Sequence, residues 1–250
     1  GLMRAREFLM KDLYTFDENL ERARETFDEV SASYRRIFQR LSIPFVEAQA
    51  STGAMGGIES REFHLECKDG GEDIIYKCHS CHQHYNVEVK HGCGNAGRNQ
   101  ISGLELGHAF LLGDRYSKAF GAKCDISDRG AIQMGCFGIG VSRLLAALAE
   151  VHSDGQGLKW PENIAPFGTS IIADNSVDQE ILTTFGPLPI FVDDRENMSY
   201  GKRLKDHMLT GFPKTIVFGH SWRSKGAVEV HDRLKGTVEL VQLSAVNETL

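Results

Sequence analysis

The stretch "GCFGIGVSRLLAALAE" (residues 135–150) predicts a strand that turns directly into a buried helix. Residues 141–148 favour helix, because leucine and alanine dominate and no polar residue follows Arg143 within them. Arg143 falls in the first helical turn near Gly138 and Gly140, where backbone N–H groups and a guanidinium together suit an anion such as phosphate. These residues alone leave a second interpretation open, an ordinary strand–turn–helix whose arginine head reaches solvent.

The whole chain has the composition of a globular protein of one large or two modest domains, with 250 residues, 41% of them hydrophobic and 25% charged. No apolar run approaches the roughly 18 residues that a membrane span needs, so we expect no membrane contact. Six irregularly spaced cysteines indicate a reducing compartment rather than a disulfide framework. The net charge is −6, yet residues 195–235 hold nine Lys or Arg against four Asp or Glu.

Residues 1–160 predict one long helix among several strands. Apolar residues recur at steps of three and four over 17–41, which predicts an amphipathic helix with Asp17 as its N-cap. Strands are predicted at 5–16, 43–51, the end of 52–66, 104–113 and 131–140, whereas 66–103 is polar and gives no clear pattern. On a strand at 5–16, Arg4, Arg6 and Phe8 would share a face that suits a nucleotide or is merely exposed.

Two prolines within 159–168 mark a boundary, and the pattern changes after it. Short apolar runs at 169–173, 189–194 and 214–219 predict buried strands, with a connecting helix at 201–209. Strands joined by helical crossovers indicate a small α/β domain over 165–250.

Five segments occur in order along the chain: "GLMRAREFLMKD" (1–12), "TGAMGGIESREF" (52–63), "LELGHAFLLGDRYSKAF" (104–120), "GCFGIGVSR" (135–143) and "FVDDRENMSYGKRLKD" (191–206). Together they resemble the prolyl-tRNA synthetases, and the mitochondrial form most closely. The resemblance implies an α+β class II synthetase catalytic core over 1–160, an antiparallel sheet with flanking helices. It implies a small α/β anticodon-binding domain over 165–250. Because the chain opens on Gly1 in mid-pattern, we expect the first class II motif to precede it and do not expect this chain alone to be active.

The resemblance assigns ATP to two of these segments. "GIGVSR" is similar to the third class II motif, so Arg143 is the expected ATP-binding arginine, with Gly138 and Gly140 in the same turn. "MRAREF" is similar to the second motif, which implies that Phe8 stacks on adenine opposite Arg143. Arg4 would hold the γ-phosphate end, so Arg4 and Arg143 are the expected catalytic residues.

The resemblance also implies a proline pocket, lined by Met10, Asp12, Glu62, Glu105 and His108. Glu105 would orient the substrate and His108 would form a wall, whereas Phe110 serves packing. For each of these residues a purely structural role is the alternative. Two positions depart from the family, which usually has histidine at Arg61 and often glutamine at Leu111.

In the implied reaction the carboxylate of L-proline attacks the α-phosphate of ATP, and the resulting prolyl-adenylate is transferred to the 3′ end of tRNA(Pro). The expected cofactors are ATP and Mg²⁺, because arginines and a hard cation balance the triphosphate charge. The expected partners are L-proline, tRNA(Pro) and a second copy in a homodimer. The resemblance places the protein in the mitochondrial matrix, with the cytoplasm as the alternative. Since about forty residues separate the pocket strands, we expect no editing domain.

The segment 66–103 carries Cys78, Cys81 and Cys93, with His91 two residues before the last. A C-x-x-C is half of a zinc site, but a structural site needs four ligands and a second C-x-x-C is missing. The sequence therefore favours loop thiols and keeps zinc as the alternative.

The last segment of the resemblance implies tRNA anticodon contacts at Asp194, Arg195, Lys202, Arg203 and Lys205, side chains that suit phosphates and base edges. A solvated helix face is the alternative. For the whole chain two other functions stay open. One is a non-catalytic synthetase-like accessory protein that binds nucleic acid, such as the accessory subunit of mitochondrial DNA polymerase, and the other is threonyl- or glycyl-tRNA synthetase.

Overall fold

The computed structural model describes residues 2–3, 5–67, 71–93, 97–124, 130–173, 177, 185 and 189–246. The chain divides into two compact units, residues 1–148 and 149–250. Among the described residues, no helix is both long and apolar enough to cross a bilayer. Arg4, an expected ATP contact, lies outside the described residues.

The first unit is built on a sheet of seven strands: β1 (Met10–Asp17), β2 (Val46–Gln49), β3 (Glu59–Glu66), β4 (Asp73–Cys78), β5 (His84–Asn86), β6 (Arg98–Gly113) and β7 (Gln133–Gly140). Their order in the sheet is β1-β7-β6-β3-β2-β5-β4. All pairings are antiparallel except β2 with β5. The two helices are α1 (Leu20–Arg40) and α2 (Val141–Val151).

Helix α1 covers one face of this sheet with a single apolar stripe. Its buried residues recur every three or four positions, as the sequence predicts: Ala23, Phe27, Ser31, Tyr34 and Phe38. The Tyr34 ring lies 5.4 Å from Phe63 on β3, and Phe27 lies 6.0 Å from Phe137 on β7. The opposite face of β1, β7, β6 and β3 carries the polar side chains described below.

The start of α1 differs from the sequence prediction. Asn19, not Asp17, is the N-cap, and its side-chain oxygen accepts a hydrogen bond from the Arg22 N–H at 3.0 Å. Asp17 is the last residue of β1, and its carboxylate accepts from the Thr26 hydroxyl at 2.9 Å.

The predicted strands at 104–113 and 131–140 and the helix after them are confirmed by β6, β7 and α2. Strand β1 begins only at Met10, so the prediction that Arg6 and Phe8 share one face of a strand is wrong. The described residues of the unassigned segment 66–103 include the hairpin of β4 and β5 and the first residues of the long β6.

In the second unit a short ribbon pairs β8 (Ser153–Asp154) with β9 (Gly157–Leu158). Strands β10 (Thr169–Ile172), β11 (Ile190–Asp193) and β12 (Lys214–Val217) are parallel, and β13 (Ala227–Asp232) and β14 (Thr237–Gln242) add antiparallel pairs. These five strands form one sheet in the order β11-β10-β12-β13-β14. Helices α3 (Tyr200–Thr210) and α4 (His220–Lys225) and a 3-10 helix (Leu243–Ala245) complete the regular elements described. The three predicted parallel strands and the predicted helix at 201–209 are confirmed.

Candidate active site

Three of the predicted pocket residues meet on the sheet face that points away from α1. Glu62 on β3 and Glu105 and His108 on β6 place ligating atoms within 4.8 Å of one another. Glu105 and His108 are three residues apart, and alternation along a regular strand would put them on opposite faces. A bulge removes this conflict: Phe63 pairs with Gly107 and His64 with Glu105, which leaves Leu106 as an extra residue. Both side chains therefore face Glu62.

The contacts within this cluster fix its geometry. His108 Nε2 lies 2.5 Å from the Ser60 hydroxyl and 3.7 Å from Glu62 Oε1, and His108 Nδ1 lies 3.7 Å from Glu105 Oε1. The His108 ring also stacks on Phe110, with centroids 3.8 Å apart. Phe110 thus packs directly against a pocket residue, which holds the imidazole in one orientation.

Burial and neighbouring groups set the charges of the cluster. Burial lowers the pKa of His108 to about 4, so the imidazole is neutral at pH 7. Burial works to raise the pKa of Glu62, but hydrogen bonds from His64 and Asn86 outweigh it, and the pKa lies below its ordinary value. Burial and the charge of Glu62 raise the pKa of Glu105. The result is a negatively charged pocket beside a neutral histidine, which suits a small organic cation.

Three further polar residues support Glu62, and sequence reasoning missed them. His64 is fully buried, with its Nε2 2.9 Å from Glu62 Oε2 and its Nδ1 3.8 Å from Asp73 Oδ2. The Asn86 amide donates to the same Glu62 oxygen at 2.9 Å. The spacing of Glu62 and His64 by two on a predicted strand was a usable signal, whereas Asp73 and Asn86 come from the segment without a pattern.

Met10 and Asp12 border the same face. Asp12 pairs with Gly138, Gly138 pairs with His108, and His108 pairs with Glu62, so these positions form one row across four strands. A side-chain carbon added at Gly138 would come within 2.7 Å of the Met10 methyl group. Because Gly138 has no side chain, it leaves room for the Met10 side chain next to this row of residues.

Arg143 connects the start of α2 to this pocket. Its Nη1 donates to the Glu105 carbonyl at 2.8 Å, and its Nε donates to the Met3 carbonyl at 3.0 Å. The N–H groups of Val141 and Ser142 donate to the Leu9 carbonyl at 2.9 and 3.3 Å. The expectation that the first amides of α2 are available to an anion is therefore wrong for these two, because they already hold the N-terminal segment.

Phe8 lies next to Leu9 in that segment, and its side chain is 47% exposed. The Leu9 N–H also donates to the Ser142 hydroxyl at 2.9 Å, so the backbone around Phe8 is anchored beside Arg143. Among the contacts of the described residues, the Arg143 guanidinium is bound by carbonyl oxygens and is not stacked on Phe8. The adenine position between the two side chains stays a prediction. A side-chain carbon added at Gly140 would lie 3.4 Å from the Arg143 Cβ, an ordinary contact distance.

The two departures from the family lie on the other face of the sheet. Arg61 points toward α1, where it contacts the Phe27 ring and pairs with Asp28 at 2.9 Å and Glu59 at 2.8 Å. Leu111 is fully buried. Neither side chain belongs to the cluster of Glu62, Glu105 and His108.

In the second unit, four of the five predicted tRNA contacts are exposed: Asp194, Arg195, Lys202 and Lys205. The Arg195 side chain makes two hydrogen bonds to Asp193 and one to Asp206. Arg203 corrects the prediction, because it is 2% exposed and its Nη1 donates to the carbonyls of Ala173 and Asp193 at 2.7 and 2.9 Å. Arg203 is a structural residue of this unit.

The structure also gathers the three predicted cysteines of the segment 66–103. Cys78, Cys81 and Cys93 lie together with His91, and the four ligating atoms are within 4.8 Å of one another. His79, His82 and His84, which are nearer to the C-x-x-C in sequence, are outside this set.

Comparison with known proteins agrees with the geometry. Residues 1–152 match the model of the "tRNA synthetase class II core domain (G, H, P, S and T)". The chain belongs to this family of class II tRNA synthetases.

The chain is similar over nearly all its length to proteins named as proline–tRNA ligases. It is 38% identical to a mitochondrial one of Schizosaccharomyces pombe, over 94% of this chain and 60% of that protein. It is 34% identical to a mitochondrial one of Mus musculus, over 100% of this chain and 58% of that protein. It is 33% identical to one of Anaplasma phagocytophilum, over 98% of this chain and 64% of that protein. The chain thus spans about three fifths of these relatives' length.

Proposed function

We propose that this chain takes part in the activation of L-proline with ATP and its transfer to tRNA(Pro), as the names of its relatives suggest for those proteins. The observation that carries the proposal is the convergence of Glu62, Glu105 and His108 on one sheet face, with Arg143 bound to the Glu105 backbone. Two carboxylates and a neutral imidazole form a small anionic pocket, which complements the secondary ammonium group of proline.

The chemistry asks for positioning and charge rather than a side-chain nucleophile, since the proline carboxylate attacks the α-phosphate itself. The carboxylates hold the ammonium end, so that the substrate carboxylate points toward Arg143 and the α2 end of the sheet. Arg143 and Phe8 fit an ATP site at that end, where the cation balances phosphate charge and the exposed ring offers a stacking face. Mg²⁺ bound together with ATP would supply further charge balance.

The second unit is proposed to bind the anticodon region of the tRNA. Arg195 precedes α3, and Lys202 and Lys205 lie on it; all three are exposed and suit phosphates, and Asp194 suits a base amino group. Dimerisation and residence in the mitochondrial matrix belong to the same proposal, and the mitochondrial names of several relatives support the latter.

The test is amino-acid-dependent ATP–pyrophosphate exchange with proline, threonine and glycine, on purified protein in the longest form that its gene expresses. We expect exchange with proline alone. Exchange with threonine or glycine would assign a different class II synthetase. Binding of tRNA without exchange for any amino acid would favour the non-catalytic accessory function.

A further inference from the structure

The loop after β5 returns to the end of β4 and completes a set of four soft ligands. Cys78, Cys81, His91 and Cys93 place three sulfurs and one ring nitrogen within 4.8 Å of one another, and Cys81 Sγ lies 3.2 Å from His91 Nε2. Tetrahedral zinc, with Zn–S bonds of about 2.3 Å and Zn–N bonds of about 2.0 Å, separates neighbouring ligand atoms by about 3.5–3.8 Å. The cluster therefore has the ligand number, the ligand types and nearly the spacing of a structural zinc site.

The first half of the set is a tight turn between two strands. The Cys78 N–H donates to the Gln83 carbonyl at 2.9 Å, and the His82 N–H donates to the Cys78 carbonyl at 3.0 Å. His82 adopts φ 60°, a left-handed conformation that closes the turn just after Cys81.

The second half of the set is held by an aromatic contact. The His91 ring stacks on Tyr85 of β5, with centroids 4.4 Å apart and planes 6° from parallel. This stack orients the imidazole edge toward the sulfurs. His79, which is closer to the C-x-x-C in sequence, instead forms a hydrogen bond with the Asn99 side chain at 2.8 Å.

Few buried residues stabilise the segment 71–93 that carries these four side chains. Within residues 71–93 only Ile75, Cys78 and Tyr85 are buried, so hydrophobic packing alone gives the loop 87–93 few contacts. A metal cross-link supplies binding free energy that becomes folding free energy in such small segments.

We propose that Cys78, Cys81, His91 and Cys93 bind one structural zinc ion. Four protein ligands close the coordination shell, so the ion takes no part in catalysis. Its effect on the pocket is indirect, because the hairpin it ties down carries Asp73 and Asn86, which contact His64 and Glu62. This last step rests on the proposed function, whereas zinc binding itself does not.

The test is metal analysis of protein purified under reducing conditions without chelators, compared among single variants. We expect about one zinc per chain in the parent, none in Cys81→Ser and Cys93→Ser, and a strong loss in His91→Ala. The matched controls His79→Ala and Cys124→Ser, which change residues outside the set, should keep one zinc.

Cobalt(II) substitution separates a lost ligand from a lost fold. The parent should show the ligand-field bands of tetrahedral cobalt with thiolate charge transfer, and His91→Cys should keep tetrahedral cobalt with a stronger thiolate band. Absence of zinc from the reduced parent, zinc retained in Cys81→Ser, iron in its place, or a Cys78–Cys81 disulfide that persists after purification under reducing conditions would each overturn the proposal. Because metal content is read without any activity assay, failure here is distinct from failure of proline activation.

Discussion

Glu105 and His108 face each other across 3.7 Å on the same side of β6, although they are three positions apart along the strand. The bulge at Leu106 makes this possible, since it shifts the alternation by one residue between them. The same bulge aligns Glu105 with His64 and His108 with Glu62, so one irregularity assembles the whole anionic pocket.

Changing Glu105 to Gln should impair proline binding more than ATP binding. The carboxylate is proposed to contact the substrate ammonium, and losing a hydrogen bond to a charged group costs about 1.5–3 kcal/mol. We expect KM for proline to rise about tenfold or more, with KM for ATP nearly unchanged, in exchange kinetics. Glu66→Gln, an exposed residue on β3, is the control and should change neither value. Equal changes in both KM values would contradict the assignment.

The raised pKa of Glu105 gives the same pocket a pH dependence. As pH falls through this pKa, the carboxyl group takes up a proton and loses its attraction for the ammonium group, so KM for proline should rise. Because burial and Glu62 raise the pKa, the rise should begin at a higher pH than for an ordinary carboxyl group. In Glu105→Gln this part of the pH profile should vanish. A profile that is unchanged in the variant would assign the titration to another group.

The sequence predicts regular elements better than the irregular features that build the site. Helix α1 and strands β6 and β7 follow from the spacing of apolar residues, which is a local property. The bulge at Leu106 does not, because it depends on which residues of β3 pair with β6. The burial of Arg203 also cannot be predicted from the local sequence. The same helical sequence pattern allows its guanidinium to reach solvent or to bind the carbonyls of Ala173 and Asp193.

The hydrogen bond at the N-cap of α1 can be tested by its effect on the free energy of unfolding. Asn19→Ala removes the side-chain acceptor for the Arg22 N–H and should lower the free energy of unfolding of the first unit by about 1 kcal/mol. Asn19→Asp retains an acceptor and should restore most of this stability. Denaturant unfolding measures both values. Unchanged stability in Asn19→Ala would show that the end of β1, rather than Asn19, fixes the start of the helix.

Arg143 should be required for adenylate formation and dispensable for the fold. Its guanidinium is proposed to balance the phosphate charge that develops in the reaction, and removing one such group costs about 10²–10³-fold in rate. We expect Arg143→Ala to lose at least about 10²-fold in ATP–pyrophosphate exchange, while circular dichroism stays that of the parent. Arg36→Ala is the control, because Arg36 is exposed on α1 and its side chain hydrogen-bonds only Ser33 among the described contacts. Near-normal exchange in Arg143→Ala would refute the role.

Arg203 and Lys202 are neighbours on α3, but Arg203 is buried and Lys202 is exposed. Substitutions at the two positions therefore distinguish an effect on the free energy of unfolding from an effect on tRNA binding. Arg203→Met leaves the carbonyls of Ala173 and Asp193 without donors and should lower the free energy of unfolding of the second unit by about 3 kcal/mol. Lys202→Met changes an exposed side chain and should alter stability by less than about 0.5 kcal/mol.

For tRNA binding we expect the opposite ranking: substitution of the exposed lysines should weaken binding more than substitution of the buried Arg203. Lys202→Met combined with Lys205→Met removes two exposed positive charges, which should weaken tRNA(Pro) binding and reduce its salt dependence. Arg203→Lys keeps the charge inside the unit, so any protein that folds should bind tRNA as the parent does. Filter binding at several salt concentrations gives both quantities. If the double lysine variant bound like the parent with an unchanged salt slope, the start of α3 would not be the tRNA surface, because phosphate neutralisation by these lysines must appear in that slope.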